Sequence, residues 1–323
     1  MEFVTYSEKY LDQIVSLWND SVVPVSLFKP FTASYFKEKF VANPFFEAEG
    51  FLLLVEGDKV IGYGHAIVNH NENAPGFITL IAVDKAYQRQ GYGSRILKEC
   101  ESYLQNEKNK KIIRLYFGSP INLEWIIPGT KADHPGAPAV AYNSAFYFLL
   151  MNNGYETNGQ LDGYHLDIRN YALPQKVIDK EKENAVNGYT ICIYDEAKHH
   201  GFAALFEALK NPGWHQAVLD NLAKEKPAPM LIVQKDGEIL GWTGPMYTQE
   251  SGRGYFAGIG VHPKTQGLGL GKALFCHLCH ESKKNGAQFM TLFTGADNPA
   301  RNIYLYAGFH LVQSFAILRK ELR

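Results

Sequence analysis

The pattern Gln-x-x-Gly-x-Gly occurs twice in this chain of 323 residues, as Gln88–Gly93 and as Gln266–Gly271. Each copy follows an apolar run that ends at Val83 or Val261, five residues before the motif glutamine. Each also opens a stretch with apolar residues at helical spacing. After the first these are Ile96, Leu97, Cys100, Tyr103 and Leu104; after the second, Leu274, Phe275 and Leu278. A strand, a glycine loop and a helix, in that order and twice over, point to two copies of one unit built from strands and helices.

The flanking elements repeat too. In the first half, Phe51–Glu56, the turn Gly57-Asp58 and a returning strand over 60–68 precede the strand Phe77–Val83. A strand over 112–117, a helix over 142–152 and a strand over 164–168 follow the loop. In the second half, strands over 230–234 and 239–242 flank the turn Asp236-Gly237, and Tyr255–Val261 leads into the loop. A strand over 289–293, a helix over 300–306 and a strand over 315–319 complete it. The charge-rich stretch Leu173–Gly188 reads as a solvated linker with some helix. The expected domains are therefore residues 1–172 and 189–323.

Composition narrows the function classes. Net charge is −1, 46% of residues are apolar and 20% charged, so nothing global favours nucleic acid, membranes or strongly acidic ligands. The N-terminal residues lack the basic and apolar regions of a signal peptide, and no run approaches ~18 apolar residues. Four cysteines, Cys100, Cys192, Cys276 and Cys279, are too few for a disulfide framework. A reducing, cytoplasmic setting is expected, with oligomeric state open.

A glycine loop opening a helix is an anion site, because unpaired N–H donors and the helix dipole converge there. Gly267–Ala273 is one residue short of a P-loop, and Ala273 has no hydroxyl for Mg²⁺. The dinucleotide fingerprint Gly-x-Gly-x-x-Gly fails in both halves, where Ile96 and Leu274 take its last position. The Gln/Arg-x-x-Gly-x-Gly/Ala loop after a strand resembles that of the GNAT acetyltransferase superfamily. The resemblance implies an α/β fold of α+β type: two tandem GNAT-like domains, each a mixed, mostly antiparallel sheet flanked by helices. It also implies acetyl-CoA, or another acyl-CoA, as acyl donor and no metal.

By that resemblance, loop amides hold the CoA pyrophosphate and the pantetheine arm pairs with the preceding strand. In the second half those roles fall on Ile259, Val261, Gln266, Gly267, Leu268, Gly269, Leu270, Gly271 and Lys272. In the first half they fall on Ile81, Val83, Gln88, Arg89, Gln90, Gly91, Tyr92, Gly93 and Ser94. The superfamily's general acid is a tyrosine four residues before Gly-Phe, which Tyr304 before Gly308-Phe309 matches. A phenol with a reference pKa of ~10 keeps its proton at neutral pH and can still give it to a thiolate. Asn298 resembles the helix-start asparagine, one residue nearer the tyrosine than the pattern asks, and by the resemblance is counted with the cofactor-binding residues. The corresponding first-half residue is Leu150, which cannot donate a proton, and Tyr147 lies nearly a turn away. The layout is similar to the mycothiol synthase type, in which the C-terminal copy is active.

The expected function is transfer of an acyl group, chiefly acetyl, from CoA to a small-molecule or peptide amine in the C-terminal domain. The alternative is a non-catalytic acyl-CoA sensor. Trp214 and His215, in the early helical region that contacts acceptors in the superfamily, are candidate substrate contacts. No general base is evident. Cys276-x-x-Cys279-His280 matches haem-attachment spacing, but it sits inside the helix after the loop, with no second ligand pair for zinc. The long segment Ser119–Pro138 carries Trp125, Ile126 and Ile127, which suggests packing, either against an acceptor pocket or over a domain interface.

Overall fold

The structure, a computed structural model, describes residues 1–322. The chain divides into two compact units: Met1–Gly163 together with the stretch from Val312 onward, and Tyr164–Leu311.

In the first unit, strands Glu2–Thr5, Phe51–Glu56, Lys59–Ile67 and Phe77–Val83 form an antiparallel sheet in that order. The run FLLLVE alternates between two cores. Phe51, Leu53 and Val55 pack with Ile14, Trp18 and Phe40 on one face, while Leu52 and Leu54 meet Ile96, Leu97 and Cys100 on the other. The helix Leu11–Ser21 covers the first face and the helix Tyr92–Ser102 the second. Strand Ile112–Leu115 is bridged in parallel to the chain just before Phe77–Val83, Gly76 to Ile113, and then diverges from it. Its other edge pairs with the C-terminal part of strand His310–Glu321, Leu115 opposite Leu318.

The second unit repeats this plan. Strands Thr190–Ile193, Leu231–Lys235, Glu238–Gly244 and Gly258–Val261 form an antiparallel sheet. Strand Phe289–Gly295 lies in another sheet and is bridged in parallel to Arg253, which precedes the short strand Gly254–Tyr255 of a separate two-stranded sheet. Helices Phe202–Ala208 and Pro212–Leu222 pack with Ile232 and Trp242; the helix Leu270–Lys284 packs with Leu231, Val233 and Leu240. In both units the strand before the glycine loop therefore has one paired and one open edge.

Two expectations are corrected. The stretch 173–188 is not a solvated linker: Gln175–Val186 is a helix whose Val177 and Asn184 are buried in the second unit. Its inner face, Val177, Glu181 and Asn184, is mostly polar, which hid it from an apolar count. The chain instead passes between units inside the continuous strand Glu156–Asp167, and residues from Val312 return to the first unit. The strand expected over 255–261 is broken at Phe256–Ala257, giving Gly254–Tyr255 and Gly258–Val261.

Candidate functional site

Both glycine loops have one backbone path. After a short turn, Pro263–Thr265, the second loop takes positive φ at Gly267 (82°) and Gly269 (74°), and the helix Leu270–Lys284 starts without a side-chain cap. In the first loop, Arg89 (61°) and Gly91 (86°) occupy the same positions before the uncapped helix Tyr92–Ser102. A Cβ on Gly267 would meet nothing within 4 Å, so conformation rather than space selects glycine there. The first amides of each helix are left as free donors at its positive end. At Gly271 an added Cβ would make ordinary contacts, 3.5 Å from Ile303 and 3.7 Å from Val261.

Each loop is braced from within its unit. Asn184 Nδ2 donates to the Leu268 carbonyl (3.0 Å), and the buried Thr265 hydroxyl donates to the His262 carbonyl (2.8 Å). Gln88 Nε2 donates to the Val83 carbonyl (3.0 Å) and Gln90 Nε2 to the Ala86 carbonyl (3.2 Å). Asn153 Nδ2 donates to Ser94 Oγ (3.0 Å). Sequence reading missed Asn184, because it lies in the presumed linker.

The strand edge is set by register. His262 N–H donates to the Leu240 carbonyl, and opposite pairs alternate between bonded and non-bonded along an antiparallel ladder. Gly260 and Gly258 thus turn their amides toward the neighbouring strand, while Ile259 and Val261 present theirs to the open edge. In the first unit Asp84 N–H donates to the Ile61 carbonyl, so Ile81 and Val83 face the open edge in the same way. There a cleft of ≈590 Å³ is lined by Ile81, Val83, Gln88, Arg89, Gly91, Gly93 and Ser94. Gln90 and Tyr92, from the expected set, do not line it; Tyr92 packs with Tyr87, ring centroids 6.2 Å apart.

Tyr304, on the short helix Arg301–Tyr306, is 8% exposed. Its ring lies 4.9 Å from Phe275 on the post-loop helix and 6.0 Å from Tyr164. Phe275 in turn lies 5.8 Å from Phe256, at the break in the strand. The ring chain thus ties Tyr304 to the break beside the open edge. The Tyr304 hydroxyl makes no hydrogen bond among the described residues. Burial, with a smaller contribution from Tyr164, pushes its pKa up to about 12. Lys272 Nζ instead sits over Tyr306, 5.0 Å from the ring centroid. In the first unit Leu150 is fully buried in the core.

Asn298 builds its own turn: its Oδ1 accepts from Ala300 N–H (3.0 Å) and its Nδ2 donates to Thr294 Oγ1 (2.9 Å). Trp214 and His215 part company. Trp214 lies against the strand of the open edge, where a Cβ on Gly258 would collide with its indole nitrogen. His215 stacks on Phe206, centroids 5.5 Å apart, within the helix pair. Cys276 and Cys279 are fully buried, and desolvation raises both thiols. It is His277, not His280, that reaches a neighbouring helix, by a 2.5 Å contact with Glu181. Among the described residues no group of three or more metal-ligating side chains occurs, and no helix is long and apolar enough to cross a membrane.

With this geometry in place, comparison with known proteins adds three findings. The model of the acetyltransferase (GNAT) family matches twice, over residues 12–124 and 182–309. Mycothiol acetyltransferases of Streptomyces avermitilis and Cellulomonas flavigena are 31% identical over 96 residues and 34% over 93. Those matches cover 29% and 26% of this chain and 31% and 27% of the relatives, so the chain spans less than a third of their length. Among solved structures, a GCN5-related N-acetyltransferase from Sphaerobacter thermophilus superposes at TM-score 0.64 and 14% identity. That alignment covers 100% of this chain and 96% of the other. A tandem GNAT protein from the clavulanic acid biosynthesis pathway gives 0.57 and 13%, covering 99% and 98%. At these identities the likeness is one of fold.

Proposed function

Since the chain belongs to the acetyltransferase (GNAT) family, we propose that its second unit transfers an acyl group, chiefly acetyl, from a CoA thioester to an amine. The observation that carries this reading is Tyr304: a protonated phenol without a hydrogen-bond partner among the described residues, packed on the helix that opens from the glycine loop. The CoA pyrophosphate sits on the amides from Gly267 to Lys272, and the pantetheine arm pairs with the open groups of Ile259 and Val261. The thioester then falls beside the strand break. Binding holds the amine against its carbonyl. The nitrogen bonds to the carbonyl carbon and loses a proton to solvent; as the C–S bond breaks, Tyr304 gives its proton to the departing sulfur and regains one from solvent. Trp214, flat on Gly258, walls the acceptor side.

The first unit binds CoA without performing chemistry. Its loop and cleft support binding; Leu150, sealed in the core, supplies no proton. The acceptor class is a small-molecule or peptide amine. Tyr304→Phe is the test, read by CoA release with a panel of small amines. Loss of a general acid lowers kcat by about 10²–10⁴-fold, with acetyl-CoA affinity within about twofold of wild type. A variant that turns over at the wild-type rate removes Tyr304 from the mechanism.

A further inference from the structure

Behind the first unit's cleft lies a cavity of ≈180 Å³. It opens where strands Phe77–Val83 and Ile112–Leu115 diverge, and Phe28, Thr79 and Phe146 line both spaces. An apolar cavity of ~150 Å³ accommodates a benzene-sized molecule, so this one has room for a short organic chain. Its walls are chiefly apolar, but Arg114 is among them.

Among the described residues Arg114 forms no ion pair with an acid. None of the residues lining the cavity is Asp or Glu. The nearby carboxylates are engaged elsewhere: Glu124 and Asp133 both pair with Lys29, at 2.9 and 2.8 Å. Arg319, opposite Arg114 in register, pairs with Glu321 at 2.6 Å. The Arg114 guanidinium stacks on Tyr116, 4.5 Å from the ring centroid, which fixes its plane. Its Nε is enclosed without a hydrogen-bond partner, as are two other polar atoms of lining residues, Ser119 Oγ and Trp125 Nε1. Native interiors rarely leave such atoms unpaired, and all three belong to residues that line this cavity. A fixed guanidinium in apolar surroundings selects a planar anion that can accept two hydrogen bonds.

We infer that this cavity is a carboxylate site, which takes the terminal carboxylate of a short acyl group carried on CoA in the first unit. The inference rests on the reading that the first unit's loop holds CoA. A free short dicarboxylic acid shares the same chemistry and is the other source of the anion. The sequence segment that builds the site is the long insertion around Trp125, which has no counterpart of similar length in the second half.

Calorimetric titration of the full chain separates these cases, with acetyl-CoA, succinyl-CoA and succinate as probes. The expected result is one site that prefers succinyl-CoA over acetyl-CoA by about tenfold or more. Arg114→Leu brings that preference within about twofold and leaves acetyl-CoA binding unchanged; Arg114→Lys keeps part of it. Succinate binding that is lost in Arg114→Leu, without succinyl-CoA preference, supports the carboxylate site with the free acid as ligand. If acetyl-CoA and succinyl-CoA both fail to bind this unit while succinate binds, the loop reading fails and the carboxylate site stands. A preference that survives Arg114→Leu, or none for either carboxylate probe in wild type, overturns the inference. Circular dichroism and melting temperature of both variants establish that they fold.

Discussion

Tyr304 is held by rings rather than by hydrogen bonds, and this shapes its pH behaviour. The reference value is 10.0, and burial moves it to about 12. Activity lost on the alkaline side between about pH 8 and 10 therefore belongs to another group, and Tyr304→Phe leaves the shape of that limb unchanged. Stability follows the same sign: the folded protein holds this proton where the unfolded chain releases it. Its contribution is intact below about pH 10 and falls as the pH rises toward 12. The position of this tyrosine before Gly308-Phe309 is a local pattern that the sequence shows directly. The role of Gly258 was not legible there, because it is imposed by Trp214 from a distant helix. Gly258→Ala forces the indole off the strand; overpacking of this kind costs about 1–3 kcal/mol, read as a lower denaturant midpoint. An unchanged midpoint would show that Trp214 is free to move.

At the scale of elements, the loops were the readable part. Both Gln-x-x-Gly-x-Gly copies fall at strand-to-helix junctions, and the glycines Gly267, Gly269 and Gly91 take the positive φ that the pattern implies. Arg89 shows that the path is imposed by the fold, since a non-glycine adopts it too. The helix Gln175–Val186 was misread because its buried side is built from Glu181 to His277 and Asn184 to Leu268 contacts, not from an apolar stripe. Polar contacts across elements leave no periodic trace in hydrophobicity. This helix nevertheless steadies the second loop. Asn184→Ala removes the bond to the Leu268 carbonyl and leaves that acceptor unpaired, at about 1–3 kcal/mol. The expected outcome is weaker acetyl-CoA binding with kcat little altered at saturation; unchanged affinity would show that the loop keeps its shape unaided.

At the scale of the whole molecule, the chain path escaped the sequence. Two copies of one order of elements suggested a division between 172 and 189, but compactness is decided by strand pairing. Residues from Val312 return to the first unit, where Ala316 and Leu318 are fully buried and Leu318 pairs with Leu115. A fragment of residues 1–172 lacks that strand and exposes the edge of Ile112–Leu115. It is expected to aggregate or to unfold without a cooperative transition; a monomeric fragment with a sharp melt would contradict the pairing. The proposed function requires both glycine loops to hold CoA. Its most direct test is calorimetric titration of the full chain with acetyl-CoA, counting sites in wild type, Gly91→Glu and Gly269→Glu. The expected result is two sites in wild type and one in each folded variant, with acyl transfer abolished only by Gly269→Glu. Absence of binding in wild type, or transfer that survives Gly269→Glu, would contradict it.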